Sequence, residues 1–392
     1  MTGLAPAAQP TGNSAAICAP LKIEMLLPTL EAAGMETLVV GLAHGLARRG
    51  HTVGVTCTID EGTLAALLRD AGHRVSLVPA LGLRTNIWPS ALAAHLRQLR
   101  PDVVHLHDGT WLKGGRAARM AGVPRVVATL HGLEVPEPRV NGVVRRLALR
   151  LIDAVVPVSR SLATLLTEQY RLPATRISII NNGVDVERFR PDASPVADRA
   201  GNPLVVGTVA RLQPIKNQAL LLDAFARVRE QIPGVRLVLV GDGELLGALR
   251  AQAQALGIAP AVDFAGLHVD TAPAYRSFDV FVLCSNLEGT SVSVLEAMAS
   301  GTPVVATAVG GTPALLGNGE YGVLVPPRDP DALANALVAL LRDPARRTEL
   351  ARRARARARA EYSTTAMVEG YEKLYHGELV GSPTPMGTLC AV

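Results

Sequence analysis

Aromatic residues make up only 3% of this 392-residue chain, too few for the stacking platforms that hold single-stranded nucleic acid, so no nucleic-acid partner is expected. Cysteine is scarce too: Cys18, Cys57, Cys284 and Cys390 are widely scattered and form no Cys-x-x-Cys pair. Neither a zinc knuckle nor a disulfide framework is indicated, and the reducing cytoplasm is the expected compartment. No apolar run approaches the roughly 20 residues that a bilayer-spanning helix needs. Residues 1–20 lack the basic start and apolar core of a signal peptide. Lysine is confined to Lys22, Lys113, Lys216 and Lys373, so the net charge of +5 rests almost wholly on arginine. Arginines cluster from Arg139 to Arg160 and from Arg346 to Arg359, the latter an Ala-Arg run of good helix formers expected as an exposed helix. Two readings stand for these clusters, a solvated face or peripheral docking on the anionic inner face of a membrane.

What the chain has is apolar and small-residue content, 48% and 36 glycines, with charged residues at 19%. That is the composition of a compact α/β protein, and the length suits two domains of roughly 150 to 200 residues. Short apolar runs alternate with amphipathic segments twice over, which predicts two parallel sheets. In the first half the strands fall at Ile23 to Leu27, Thr52 to Thr56, Arg74 to Val78, Val103 to Leu106, Arg125 to Leu130, Ala154 to Val158 and Ile177 to Asn181. In the second they fall at Val205 to Val209, Val235 to Val240, Ala261 to Ala265, Val280 to Leu283, Pro303 to Ala306 and Gly322 to Val325. The stretch from Pro191 to Pro203 has no periodicity and reads as a linker. Ligands of open parallel sheets bind outside the carboxyl ends of the strands, so two such domains face an interdomain cleft.

The segment Leu-Glu-Gly-Thr-Ser-Val-Ser-Val-Leu-Glu-Ala-Met-Ala-Ser-Gly-Thr-Pro-Val-Val-Ala-Thr, from Leu287 to Thr307, carries the strongest local signal. Glu288 and Glu296 frame a small-residue turn, and the helix that follows aims its unpaired N–H groups at that turn, an anion cradle suited to a phosphorylated ligand. The plainer alternative makes Glu296 the partner of Ser293 in a capping box, a stabilisation of roughly 1 kcal/mol.

Glu-x7-Glu followed by Ala-Met-Ala-Ser-Gly-x-Pro-Val-Val-Ala-Thr resembles the donor-site motif of retaining GT-B glycosyltransferases of the GT4 family (glycosyl transferases group 1). The resemblance runs from about Ile23 to Tyr375 and includes Gly207 to Lys216, Gly241-Asp242-Gly243 and Asn182-Gly183-Val184-Asp185. It implies a GT-B fold of two Rossmann-like domains. The expected division is a flexible tail at 1–20, an acceptor domain at 21–192, a linker at 193–203 and a nucleotide-sugar domain at 204–363. A helix at 364–376 is expected to cross back to the first domain, with a second flexible tail at 377–392.

The resemblance also implies roles. Arg211 and Lys216 follow the strand Val205 to Val209, and a guanidinium fork with an ammonium point charge suits a departing diphosphate; in the family the matching pair binds the donor phosphates in place of a divalent metal. Glu288 is expected on donor-sugar hydroxyls and Glu296 on the ribose diol, while Gly289, Thr290, Ser291 and Val292 offer backbone amides to the sugar and β-phosphate. His131, at the end of a strand, is expected beside the donor sugar and the reacting oxygens. His105 and His107 flank Leu106 without a third ligand at suitable spacing, so no metal is expected there, and Asp108 is a candidate acceptor contact. Gly34 stands where the family usually has two adjacent glycines, with Ala33 as the departure. Gly241 lies in a loop near the nucleotide, and the backbone at Leu267 and His268 is expected at the base.

The reading that results is a retaining, metal-independent hexosyltransferase with no cofactor. It takes a nucleotide-diphosphate sugar, UDP by family frequency, to a hydroxyl acceptor that is lipid-linked, a glycan or a small molecule, as in polysaccharide or glycolipid synthesis. Two alternatives stay beside it: a nucleotide-sugar 2-epimerase of related fold, and an inactive nucleotide-sugar-binding protein.

Overall fold

The computed structural model describes residues 19–31, 34–132, 139–191 and 203–381. Ala33, Cys18 and Cys390, the linker at 193–202 and most of both tails lie outside the described residues. Two six-stranded parallel sheets carry the molecule. The first contains β1 (Lys22–Leu27), β2 (Thr52–Cys57), β3 (Arg74–Leu77), β4 (Val103–Leu106), β5 (Arg125–Leu130) and β6 (Ala154–Pro157). The second contains β7 (Val205–Val209), β8 (Arg236–Val240), β9 (Val262–Gly266), β10 (Val280–Leu283), β11 (Val304–Thr307) and β12 (Val323–Val325).

Strand order is β3-β2-β1-β4-β5-β6 in one sheet and β12-β11-β10-β7-β8-β9 in the other, the same doubly wound order run twice. Helices cover both faces, which is why β4, β6, β10 and β11 are buried at every residue and are mostly apolar, with His105 in β4 and Thr307 in β11 as buried polar exceptions. Each sheet reverses direction once, between β1 and β4 and between β7 and β10, and these switch points are where a doubly wound sheet opens a crevice.

The segment Ile177 to Asn181, expected as a strand, forms only an isolated bridge from Ile177 to Val155. Its N–H groups divide instead between Val155 (Ser178, 3.0 Å) and Val380 (Ile179, 3.0 Å). The apolar residues of that run, Ile177 and Ile180 among them, are buried beside the sheet without joining a full ladder.

The chain passes between the domains at two places that pair with each other. Val184 donates to Tyr362 O (2.7 Å), and Thr364 donates to Val184 O (2.9 Å). A Cβ on Gly183 would come within 2.8 Å of Thr364 Cα and 2.9 Å of Met367 Cβ, so only glycine fits this approach. Val184 and Phe189 already pack in the second domain's core, ahead of residue 192, where the sequence reading ended the first domain. The helix Thr364–Tyr375, capped by Ser363 Oγ on Ala366 N, packs Met367, Val368, Tyr371, Leu374 and Tyr375 into the first domain's core. Its polar atoms are paired there too: Tyr371 Oη with Thr129 Oγ1 (2.8 Å) and Glu372 with His51 Nε2 (3.0 Å).

The arginine-rich helix Pro344–Glu361 turns Ala351, Ala354 and Ala358 inward. Several of its arginines meet carboxylates, Arg352 with Glu349, Arg353 with Glu320 and Arg357 with Glu361. Among the described residues no helix is long and apolar enough to cross a membrane.

Candidate functional site

A cleft of about 390 Å³ opens between the two sheets at the carboxyl ends of their strands. The loops after β5, β7, β8, β9 and β10 bring His131, Arg211, Lys216, Gly241, Leu267 and Glu288 to its wall. Gly34, at the first turn of the helix Gly34–Arg48, closes the side belonging to the first domain. Gly289, Thr290, Ser291, Val292, Glu296 and His268 line the same cavity, so of the residues expected at the site from sequence only Asp108 stands outside its lining.

Lys216 ends a short 3₁₀ turn, Pro214–Lys216, which Asn217 leaves in a left-handed conformation at φ 51°. That turn aims Lys216 Nζ at Glu288 Oε1, 2.6 Å away, and Ser285 Oγ donates to the same oxygen at 2.6 Å. The turn is tied to the β10 loop by Asn286 N on Ile215 O (2.8 Å). Arg211 is held through its backbone, its carbonyl accepting from Gln218 Nε2 at 2.9 Å, which leaves the guanidinium to the cleft. Gly241 sits at φ 135°, and a Cβ there would lie 2.0 Å from Ala210 O, so the loop after β8 needs glycine to pass beneath β7.

The helix Val292–Ala299 starts at Ser291, whose Oγ accepts from Val294 N. The capping box between Ser293 and Glu296 is thus absent: the cap lies two residues before Ser293, and the Glu296 side chain turns away from the backbone. Glu296 Oε2 instead accepts from the buried Tyr275 hydroxyl at 2.7 Å. Burial raises its pKa to about 7, against the lowering effect of the Tyr275 hydrogen bond and the Arg188 charge. The helix's first turn opens on the cleft with N–H groups that have no acceptor within the helix.

The turn before this helix is fastened to the first domain. Thr290 Oγ1 donates to Val158 O (2.7 Å), and Asn182 Nδ2 donates to Thr290 O (3.1 Å). Gly289 lies so close to the partner loop that a Cβ on it would fall 2.3 Å from His131 O.

The His131 side of the cleft is built from three imidazoles. His105 places Nε2 on Thr129 Oγ1 (2.7 Å) and Nδ1 on the Tyr375 hydroxyl (2.8 Å). His107 Nδ1 meets His131 Nε2 at 3.0 Å. Burial holds all three in the neutral form, with His105 lowered to about 3, His131 to about 4 and His107 well below its ordinary value. Asp108, the candidate acceptor contact, is not among the residues lining the cleft; its carboxylate accepts from His131 N at 3.0 Å, and burial raises it to about 6. Among the described residues no group of three or more His, Cys, Asp or Glu side chains is placed to hold a metal ion.

Two cleft features escaped the sequence reading. Arg188 projects into the cavity and holds Asp270 Oδ1 through Nη2 (2.8 Å) and Nε (3.2 Å). It lies three residues beyond Asp185 of the Asn-Gly-Val-Asp stretch, the only signal that pointed to it. Tyr275 has no sequence signal at all, because its link to Glu296 depends on how the helix Ala272–Ser277 packs.

Comparison with known proteins matches the two halves separately. The family model described as glycosyl transferases group 1 matches residues 203–343, and that described as glycosyltransferase family 4 matches residues 32–188. Among curated proteins, the D-inositol 3-phosphate glycosyltransferase of Stackebrandtia nassauensis is 35% identical over 365 residues, covering 82% of this chain and 82% of its own. The GDP-mannose-dependent alpha-(1-6)-phosphatidylinositol monomannoside mannosyltransferase of Mycolicibacterium smegmatis is 36% identical over 251 residues, covering 59% of this chain and 65% of its own. Among solved structures, Anabaena HepE in complex with UDP and glucose superimposes with a TM-score of 0.81 at 24% identity, covering 91% of this chain and all of that one. At that identity it shows the fold alone, and the fold is GT-B.

Proposed function

The chain belongs to the family 4, group 1 glycosyltransferases, and from that premise we propose that it moves a hexose from a nucleotide-diphosphate sugar to a hydroxyl acceptor with retention at the anomeric carbon. The observation that carries this reading is the convergence of Arg211, Lys216, Glu288, Glu296 and the start of the helix Val292–Ala299 on one interdomain cleft.

In the proposed reaction the bond between the anomeric carbon and the β-phosphate oxygen breaks, and the acceptor oxygen bonds to that carbon from the same face. The acceptor proton passes to the departing phosphate, so no carboxylate nucleophile is needed. Arg211 and Lys216 oppose the growing negative charge, together with the helix N-terminus. Glu288 holds donor-sugar hydroxyls, and ionised Glu296 accepts from the ribose diol, a pair of bonds that one carboxylate can make. Gly241 and Leu267 border the nucleoside, and Gly34 brings the first domain's backbone to the phosphates.

The donor nucleotide is UDP by family frequency, with GDP the next to try because the names of several relatives carry GDP-mannose. D-inositol 3-phosphate is the acceptor to try first, since relatives covering four fifths of the chain carry it in their names. A thermal-shift panel of UDP-, GDP- and ADP-sugars tests the donor, because a ligand at about 100 times its dissociation constant stabilises the fold by roughly 2.7 kcal/mol. Product analysis with the stabilising donor follows. Transfer supports the proposal, an epimerised nucleotide sugar formed without acceptor supports a 2-epimerase, and binding with neither transfer nor slow hydrolysis supports an inactive binding protein.

A further inference from the structure

We propose that His107 is a positioning residue that donates from Nδ1 to Nε2 of His131 and thereby sets His131 to present an Nδ1–H donor to the cleft. The inference rests on the reading of His131 as a residue beside the donor sugar and the reacting oxygens.

The 3.0 Å contact between His107 Nδ1 and His131 Nε2 is a hydrogen bond that holds a single proton, and one of the two rings must supply it. His107 Nε2 decides which. That atom is buried and has no hydrogen-bond partner. If His107 carried its proton on Nε2, an unpaired N–H donor would be buried, the rarer and costlier kind of orphan. Carrying the proton on Nδ1 uses it in the bond and leaves only a lone pair unsatisfied. Burial keeps an additional proton off both rings, so the pair stays neutral.

Packing fixes the ring that makes this choice. His107 lies between His105, with centroids 4.3 Å apart, and His131, 5.3 Å away and nearly parallel at 24°. His105 is itself held by hydroxyls on both nitrogens, and the His131 backbone is held by Asp108. With Nε2 occupied as an acceptor, Nδ1 is the nitrogen through which His131 meets a ligand, and it carries the proton, since the hydrogen bond at one ring nitrogen sets the state of the other.

A neutral imidazole in this state donates to an oxygen and does not remove a proton from one. Its partner is a sugar hydroxyl or the oxygen on which charge develops, which fits a reaction whose acceptor proton leaves with the phosphate.

The test combines spectroscopy and kinetics on the full chain. Ring ¹⁵N shifts of the labelled protein are expected to show protonated Nδ1 and bare Nε2 on His131; a protonated His131 Nε2 overturns the inference. His107→Leu removes the donor, whereas His107→Asn can place an amide N–H where Nδ1 lay. The expected result is a fall in kcat of about tenfold for His107→Leu, the size of one lost hydrogen bond, with donor KM within about twofold, and recovery to within about threefold in His107→Asn. Equal turnover in both variants and the wild type overturns the inference, and so does an equal loss in both that tracks a lowered Tm. His131→Ala separates the two levels: unchanged kcat there removes the premise, whereas a loss there with His107→Leu at wild-type rate removes only the role of His107.

Discussion

Lys216 Nζ and Glu288 Oε1 lie 2.6 Å apart at the switch point of the second sheet, where the loops after β7 and β10 meet. The pair joins the cation proposed for the diphosphate to the carboxylate proposed for the sugar. In the proposed donor complex the diphosphate would compete with Glu288 for the ammonium, while Ser285 Oγ would keep its hold on the carboxylate. The side chains are little exposed, 22% for Lys216 and 8% for Glu288, so both charges wait in position with little reorganisation left to do.

Replacing either cation should therefore strike turnover more than binding. Arg211→Ala and Lys216→Ala are each expected to lower kcat by about 10²- to 10³-fold, the usual loss for one contact that opposes charge developing in the transition state. Lys216→Ala also leaves Glu288 without its cation. Steady-state kinetics with circular dichroism as the folding control is the check, and near-wild-type turnover in a folded variant excludes that residue from the mechanism.

The two sheets were legible because strands covered on both faces carry apolar runs that nothing interrupts, as in Val280–Leu283. Glycines that mark the cleft were legible for a related reason: Gly241 and Gly289 stand where the backbones of different loops come within a Cβ of each other. Side-chain pairings across the fold left no such trace. Tyr275 precedes Glu296 by 21 residues with a strand between them, and Arg188 reaches the cleft from a loop whose core anchor, Phe189, belongs to the second domain. The capping-box reading failed because spacing alone does not say where a helix begins. Here Ser291 takes the cap ahead of Ser293.

Glu296 should make donor binding depend on pH. Its pKa is raised to about 7, so the carboxylate proposed for the ribose diol is ionised above that value and protonated below it. Donor KM is expected to rise as pH falls from 8 to about 6, by roughly tenfold, with kcat less affected. Glu296→Gln keeps the Tyr275 contact but cannot ionise, so its KM should be high and flat over this range. A wild-type profile as flat as that of the variant, at equal KM, would sink the ribose role. Folding stability moves the other way. A raised carboxyl contributes stability that is complete below about 4.5 and lost as pH climbs through about 7, so an observed loss of affinity on acidification cannot come from unfolding driven by this group.

Gly289→Ala tests the contact between the domains. The added methyl would meet His131 O at 2.3 Å, a backbone atom that cannot rotate aside. The two domains can relieve this overlap only by parting slightly, which would strain the Thr290 to Val158 hydrogen bond and the packing of Val292 on the first domain's core. The expected outcome is a modest fall in Tm with a loss of kcat of about tenfold or more, as displacement by about 1 Å separates groups that must act together. Wild-type turnover would show that the approach of Gly289 to His131 is not needed for transfer.

Transfer is expected to proceed without a divalent metal and to give the retained anomer. The leaving diphosphate would already meet Arg211, Lys216 and the N-terminus of the helix Val292–Ala299, so a metal would duplicate charge the chain supplies. The carboxylates near this position are engaged: Glu288 with Lys216 and Ser285, and Glu296 with Tyr275. A metal would have to displace those partners before it gained ligands. Retention follows from the proposed same-face attack, in which the departing phosphate takes the acceptor proton. The measurement is product formation by NMR with an α-linked donor in excess EDTA, followed by the anomeric coupling of the product. Activity abolished by EDTA and restored by Mg²⁺ or Mn²⁺ would overturn the argument from fixed charge. A β-linked product would leave that argument intact and overturn same-face attack, because inversion needs a base to take the acceptor proton, and His131 in the proposed tautomer offers only a donor.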